Sequence, residues 1–150
     1  NGGSAGDAQH LATELMGGMA DQDRTPIPSI ALTTDSSFLT AWSNDTEFES
    51  IFSRQIQGLG EKDDVLVGIS TSGNSKNIIN ALRQAKYKKL KTVSLTGKTG
   101  GKLDGIAETH IRDLGAEPGF LGLYEFPNAL WDSYALGQQL RDRSTLLQLS

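Results

Sequence analysis

The stretch Asp63-Asp64-Val65-Leu66-Val67-Gly68-Ile69-Ser70 constrains this chain more than any other. Its aliphatic residues do not alternate with polar ones, as expected for a strand covered on both faces. Strands of that kind belong to parallel sheets layered with helices. The next residues agree: a polar loop is followed by a helix predicted from Asn74 to about Lys88, with Ile78, Ile79, Leu82 and Ala85 as its buried side.

The same alternation runs through the chain. Asp7 to about Met19 predicts a helix with Ala8, Leu11, Ala12, Leu15, Met16 and Met19 on one stripe; Gly17, Gly18, Pro26 and Pro28 end it. Ser29 to Thr33 reads as a short strand, Thr34 to Ser37 as a turn, and Phe38 to Trp42 as a single helical turn. Thr46 is expected to cap a helix carrying Phe48, Ile51, Phe52, Ile56 and Leu59, stopped by Gly60. Lys91 to Thr96 is a strand, Gly97 to Lys102 a loop, Leu103 to Ile106 a helical turn, and Glu108 to Arg112 the expected last strand. Right-handed βαβ units in this order give an α/β fold with a doubly wound parallel sheet. At 150 residues the chain suits a single domain, 1–150, able to bury a core. Its opening, Asn1-Gly2-Gly3-Ser4, reads as a loop that should follow a strand, so a first strand is expected to be missing.

Charge and composition remove several function classes. A net charge of −4 leaves no basic footprint for nucleic acid. With no Cys there are no disulfides, thiolate metal sites or Cys nucleophiles, which leans towards a cytoplasmic protein. No apolar run reaches membrane-spanning length, and no signal peptide is visible.

In an open parallel sheet, ligands bind beyond the carboxyl ends of the strands. Ser70-Thr71-Ser72-Gly73-Asn74-Ser75 lies at such an end and leads into a helix. Free N–H groups and the helix dipole favour an anion there, and the hydroxyls of Ser70, Thr71, Ser72 and Ser75 add donors. There is no GK[ST], so a phosphomonoester fits better than a nucleoside triphosphate. The plainer reading is a polar turn with Asn74 or Ser75 as the cap, at roughly even weight.

Asn1-Gly2-Gly3-Ser4 also enters a helix, on which His10 and Glu14, four residues apart, share a face. A carboxylate there suits a general base, and the pair suits two ligands of a divalent metal, which needs a third. From spacing alone a surface ion pair is the stronger reading. Asn44 and Asp45 read as turn residues, His110 as structural, Lys86 to Lys91 as a solvated helix end, and Gly97 to Gly101 as a turn.

Taken together, NGGSAGDAQHLATEL, ALTTDSSFLTAWSND, DVLVGISTSGNSKNII and VSLTGKTGGKL, in this order and spacing, resemble the sugar-isomerase (SIS) domain, with its flavodoxin-like fold. More narrowly they resemble the phosphoheptose isomerases, over about residues 1 to 112. The resemblance implies that Ser70, Thr71, Ser72 and Ser75 bind a sugar phosphate and that Asn1, Gly2, Gly3, Asn44 and Asp45 contact substrate. It implies Glu14 as the base moving a proton between C1 and C2 through an enediol, and His10 with Glu14 as two ligands of a zinc ion. The implied reaction converts sedoheptulose 7-phosphate to a heptose 7-phosphate for bacterial surface sugars, in a homotetramer. An N-terminal helix and first strand usual in such enzymes are not found.

Residues 113–150 depart from the pattern. The resemblance calls for a Gln-Glu pair and a later His; Leu123-Tyr124-Glu125 supplies only a Glu, and no His follows His110. Pro127 is expected to open a loosely periodic helix through Leu130, Tyr134 and Leu140. The competing expectation is therefore a non-catalytic SIS module that binds a phosphosugar or a protein, as in relatives that assist replication initiation.

Overall fold

The computed structural model describes residues 1–17 and 22–112 in full and the backbone of residues 146–149. Among the described residues five strands form one parallel sheet: β1 (Ser29–Ala31), β2 (Val65–Ser70), β3 (Lys91–Thr96), β4 (Thr109–Arg112) and β5 (Leu146–Leu149). Their order across the sheet is β1-β5-β2-β3-β4. Four helices join the described strands: α1 (Gly3–Gly17), α2 (Ser36–Asp45), α3 (Ile51–Leu59) and α4 (Lys76–Tyr87).

β2 is buried at every residue, as its unbroken aliphatic run requires. Its side chains alternate between two cores. Val65, Val67 and Ile69 meet Ala8, Leu11 and Leu15 of α1, with Val93 and Leu95 of β3. Leu66 faces the other way, onto Ile51, Phe52 and Ile56 of α3 and Ile78, Ala81 and Leu82 of α4. Each Leu or Ile removed from water in this way contributes roughly 1.5–3 kcal/mol. Gly68 marks the closest approach of α4: a Cβ there would lie 2.9 Å from Ile78 Cγ2.

Several expectations are corrected. α1 starts at Gly3 instead of Asp7, so the glycine loop is already its first turn. The single turn expected at Phe38–Trp42 is a full helix, α2, capped by Asp35 through Phe38 N–H. Thr46 does not open a helix; it closes α2, its N–H and Oγ1 both bonding the Trp42 carbonyl. A short 3₁₀ turn, Phe48–Ser50, then leads into α3. The expected helical turn at Leu103–Ile106 is a 3₁₀ turn at Gly101–Leu103. The basic helix end does more than meet solvent, because Lys88 Nζ donates to the carbonyls of Ile56 and Gln57 at the end of α3.

The largest correction concerns the sheet. Glu108–Arg112 holds a strand at Thr109–Arg112, but it is not the last, because β5 inserts between β1 and β2. Ser29 registers with Leu146, and Val65 with the same residue on the other side. β5 thus lies under α1, in a central position of the sheet. The helix expected after Pro127, and Glu125, lie outside the described residues.

Candidate active site

Parallel strands bring their carboxyl ends to one edge of the sheet, and the serine-rich loop leaves β2 there. Ser70 is 4% exposed, while Thr71 and Ser72 are open to solvent. The Ser70 and Ser75 hydroxyls lie 3.0 Å apart and share a hydrogen bond, closing the loop across its base. Gly73 N–H donates to the Ser70 carbonyl in a tight turn, with Gly73 at φ +65°. Asn74 N–H donates to Ser72 Oγ, and Asn74 Nδ2 to the Ser72 carbonyl. Ser75 caps α4 by position, without a side-chain bond to the helix; the Ile78 N–H goes to Asn77 Oδ1, which leaves the Lys76 and Asn77 N–H groups as the ones suited to attract an anion.

The Asn1–Gly3 loop joins this edge. Asn1 and Asn77 exchange amide hydrogen bonds of 3.2 and 2.8 Å, which seats the start of α1 against the start of α4. Asn77 was not picked out from the sequence. It is 2% exposed on the stripe that continues through Ala81 and Ala85, and a polar residue on that stripe was the available signal.

His10 Nε2 and Glu14 Oε1 lie 3.2 Å apart, with about a third of each side chain exposed (32% and 31%). The helix rise puts His10 roughly 10 Å along α1 from Gly3. Side chains on a helix lean towards its N-terminus, so Glu14 reaches back to the level of His10. The loop pair and the His10–Glu14 pair are therefore two distinct groups joined by α1. Asp7 lies between them, 7% exposed, on the buried stripe with Leu11. Burial raises the pKa of its carboxyl, against a smaller lowering by His10. The sequence signal for it is a carboxylate at position 7 on the stripe that continues through Leu11 and Leu15.

Asn44 and Asp45 end α2, both exposed, with Asn44 Nδ2 donating to Asp45 Oδ1. Their contact is with each other; no described hydrogen bond joins them to the serine loop. His10 and Glu14 would give a zinc ion a nitrogen and an oxygen ligand. Among the described residues no group of His, Cys, Asp or Glu supplies a third.

A serine-rich loop at the carboxyl edge of a parallel sheet, next to an Asn-Gly-Gly helix entry, is an arrangement suited to attracting an anion. The chain belongs to the SIS domain family, which matches residues 1–97. It is 56% identical over 111 residues to phosphoheptose isomerase of Sulfurimonas denitrificans, covering 74% of this chain and 56% of that protein. It is 51% identical over 108 residues to phosphoheptose isomerase of Nitratidesulfovibrio vulgaris (strain Hildenborough), covering 72% of this chain and 51% of the other. The chain thus spans between half and three-fifths of the length of these curated relatives. Among solved structures it resembles a phosphoheptose isomerase from Neisseria gonorrhoeae, with TM-score 0.72 and 38% identity, over 86% of this chain and 71% of that one. A phosphoheptose isomerase from Francisella tularensis gives TM-score 0.75 at 32% identity, over 93% and 72%.

Proposed function

We propose that this chain is the catalytic domain of an aldose–ketose isomerase acting on sedoheptulose 7-phosphate. The observation that carries the reading is the Ser70–Ser75 loop closed over the N-terminus of α4, with Glu14 on the helix that starts beside it. The phosphate is held by the loop hydroxyls and the α4 N–H groups, and Asn1, Gly2 and Gly3 border the sugar. An extended seven-carbon chain brings its C1 and C2 to about the distance of His10 along α1, where Glu14 also reaches. Glu14 takes a C1 proton of the ketose while the C2 carbonyl oxygen gains a proton from water, giving the enediol; the same carboxyl then returns a proton to C2 as the O1 hydroxyl gives its proton to water, leaving the C1 carbonyl of the aldose. Asn44 and Asp45 contact substrate in this reading.

His10 and Glu14 are proposed as two ligands of a zinc ion, which would supply Lewis-acid stabilisation of the developing oxyanion. The transfer of the carbon-bound proton relies on Glu14 alone, and the oxygen protons exchange with water. A cytoplasmic homotetramer is the proposed assembly; among the described residues no helix is long and apolar enough to cross a membrane. The test is to incubate the purified chain with sedoheptulose 7-phosphate, with and without zinc, and to measure aldose formation. Product supports the isomerase. Tight binding without product favours the second reading, a non-catalytic phosphosugar-binding module.

A further inference from the structure

The loop after β3 was expected to be a plain turn, yet it packs along the whole back of the serine loop. Gly97 N–H donates to the Thr71 carbonyl, Leu103 N–H to the Gly73 carbonyl, and Lys102 N–H to Asn74 Oδ1, at 3.0, 3.0 and 3.2 Å. Two glycine contacts leave no room between the loops. A Cβ on Gly73 would sit 2.0 Å from the Gly100 carbonyl oxygen, and one on Gly101 2.4 Å from the Ser72 carbonyl oxygen.

Gly100 itself rests on side chains of the edge strand and its approach. It adopts φ +70°, and a Cβ there would meet His110 Nε2 and Asp104 Cβ at 3.1 Å and Arg112 Nε at 3.2 Å. Asp104 and Arg112 form an ion pair across the same spot. His110 is anchored more deeply than either. Its Nδ1 shares a 2.5 Å hydrogen bond with Ser94 Oγ, and its Nε2 lies 3.3 Å from Thr96 Oγ1. Ser94 and Thr96 are completely buried on β3. The imidazole is therefore fixed to the sheet on one side and abuts Gly100 on the other.

We propose that His110 is a positioning residue for the phosphate loop, acting through Gly100 and Gly73 without touching substrate. The proposal rests on the serine loop being the phosphate site. A backbone loop tethered only at β2 and α4 can breathe by tenths of an ångström, and phosphate hydrogen bonds weaken steeply with such shifts. His110 links the loop's rear wall to the sheet and limits that motion.

Three variants separate positioning from a merely structural role. His110→Ala removes both anchors. His110→Gln keeps a polar atom near the Nε2 position, in reach of Thr96 and Gly100, whereas His110→Asn reaches only the Ser94 side. Expected are a KM for sedoheptulose 7-phosphate raised about tenfold in H110A and H110N, the scale of one lost hydrogen-bonded contact, with kcat little changed. H110Q should return to within about threefold of the unsubstituted chain. Backbone amide chemical shifts of Ser72, Gly73 and Gly101, recorded without ligand, should move in H110A and H110N and recover in H110Q. Those shifts judge the positioning role even if the unsubstituted chain fails to bind the sugar phosphate, an outcome that would sink the isomerase reading alone. Unmoved amides in H110A, or H110N and H110Q behaving alike in both readouts, overturn the proposal. If H110A does not fold, the Gln–Asn comparison decides it in the same way.

Discussion

The serine loop and the His10–Glu14 pair stand at two ends of one candidate site and are held very differently. Ser70–Ser75 is closed across its base by paired hydroxyls and backed by a second loop at glycine-to-glycine distance. His10 and Glu14 share one hydrogen bond on an open helix face, each about a third exposed. A phosphate is the same in substrate and product, so its holder gains from rigidity. A base that carries a proton between two carbons must shift between them, and a side chain with one light restraint allows it. Under the proposed function, that difference lets the substrate be gripped at one end and worked on at the other.

The sharpest way to break this contrast is at its rigid end. Gly73→Ala combines a left-handed φ with a Cβ only 2.0 Å from the Gly100 oxygen. It should cost more than about 2 kcal/mol of stability, and phosphosugar binding should be lost in whatever chain folds. Thermal unfolding with calorimetric binding checks both; ordinary affinity in G73A would show that the loops are not locked together. At the open end, Glu14→Gln should lower kcat by at least about a thousandfold, while Kd for sedoheptulose 7-phosphate and the unfolding midpoint stay nearly constant. A Kd weakened as far as kcat would mean that Glu14 grips substrate, erasing the division of labour.

Smaller effects sharpen the comparison. Ser70→Ala opens the hydroxyl pair and should weaken phosphate binding about tenfold, near 1.4 kcal/mol, with kcat at saturation retained. Asp7 lies between the two ends, and burial raises its carboxyl pKa above the ordinary value of 3.8. The folded state then holds a proton longer than the unfolded state, so stability falls as pH rises from about 3.8 through the raised value. Asp7→Asn should flatten that fall, making the variant relatively more stable at pH 7 than at pH 3 in denaturant titrations. The smallest effect belongs to His10→Ala, where loss of a part-exposed i,i+4 pair should change stability by less than about 0.5 kcal/mol.

The sheet core was legible because its signals are local. An unbroken aliphatic run gave β2, and Ile78, Ile79, Leu82 and Ala85 gave the buried face of α4. α2 outruns its apolar signal: Leu39 and Trp42 pack against the core, but the helix buries no residue fully and ends in the polar Ser43-Asn44-Asp45. Thr46 misled because a hydroxyl residue can bond backward to a carbonyl as readily as forward to an N–H. β5 had no local signature either: its pairing with β1 and β2 spans most of the chain. For the site, the serine loop and the His10–Glu14 spacing were readable, since each lies within a few residues. The rear wall was not, because Gly73 and Gly101 are far apart in sequence and neither demands the other until the strands are side by side.

The central claim is that Glu14 moves a proton on a substrate held by the Ser70–Ser75 loop. The direct measurement is deuterium wash-in: the chain is incubated with sedoheptulose 7-phosphate in D₂O and the sugar is followed by NMR. The account predicts deuterium entering at C1 of the ketose and C2 of the aldose with the unsubstituted chain, and none above background with Glu14→Gln at saturating substrate. Wash-in at the same rate in both would contradict it.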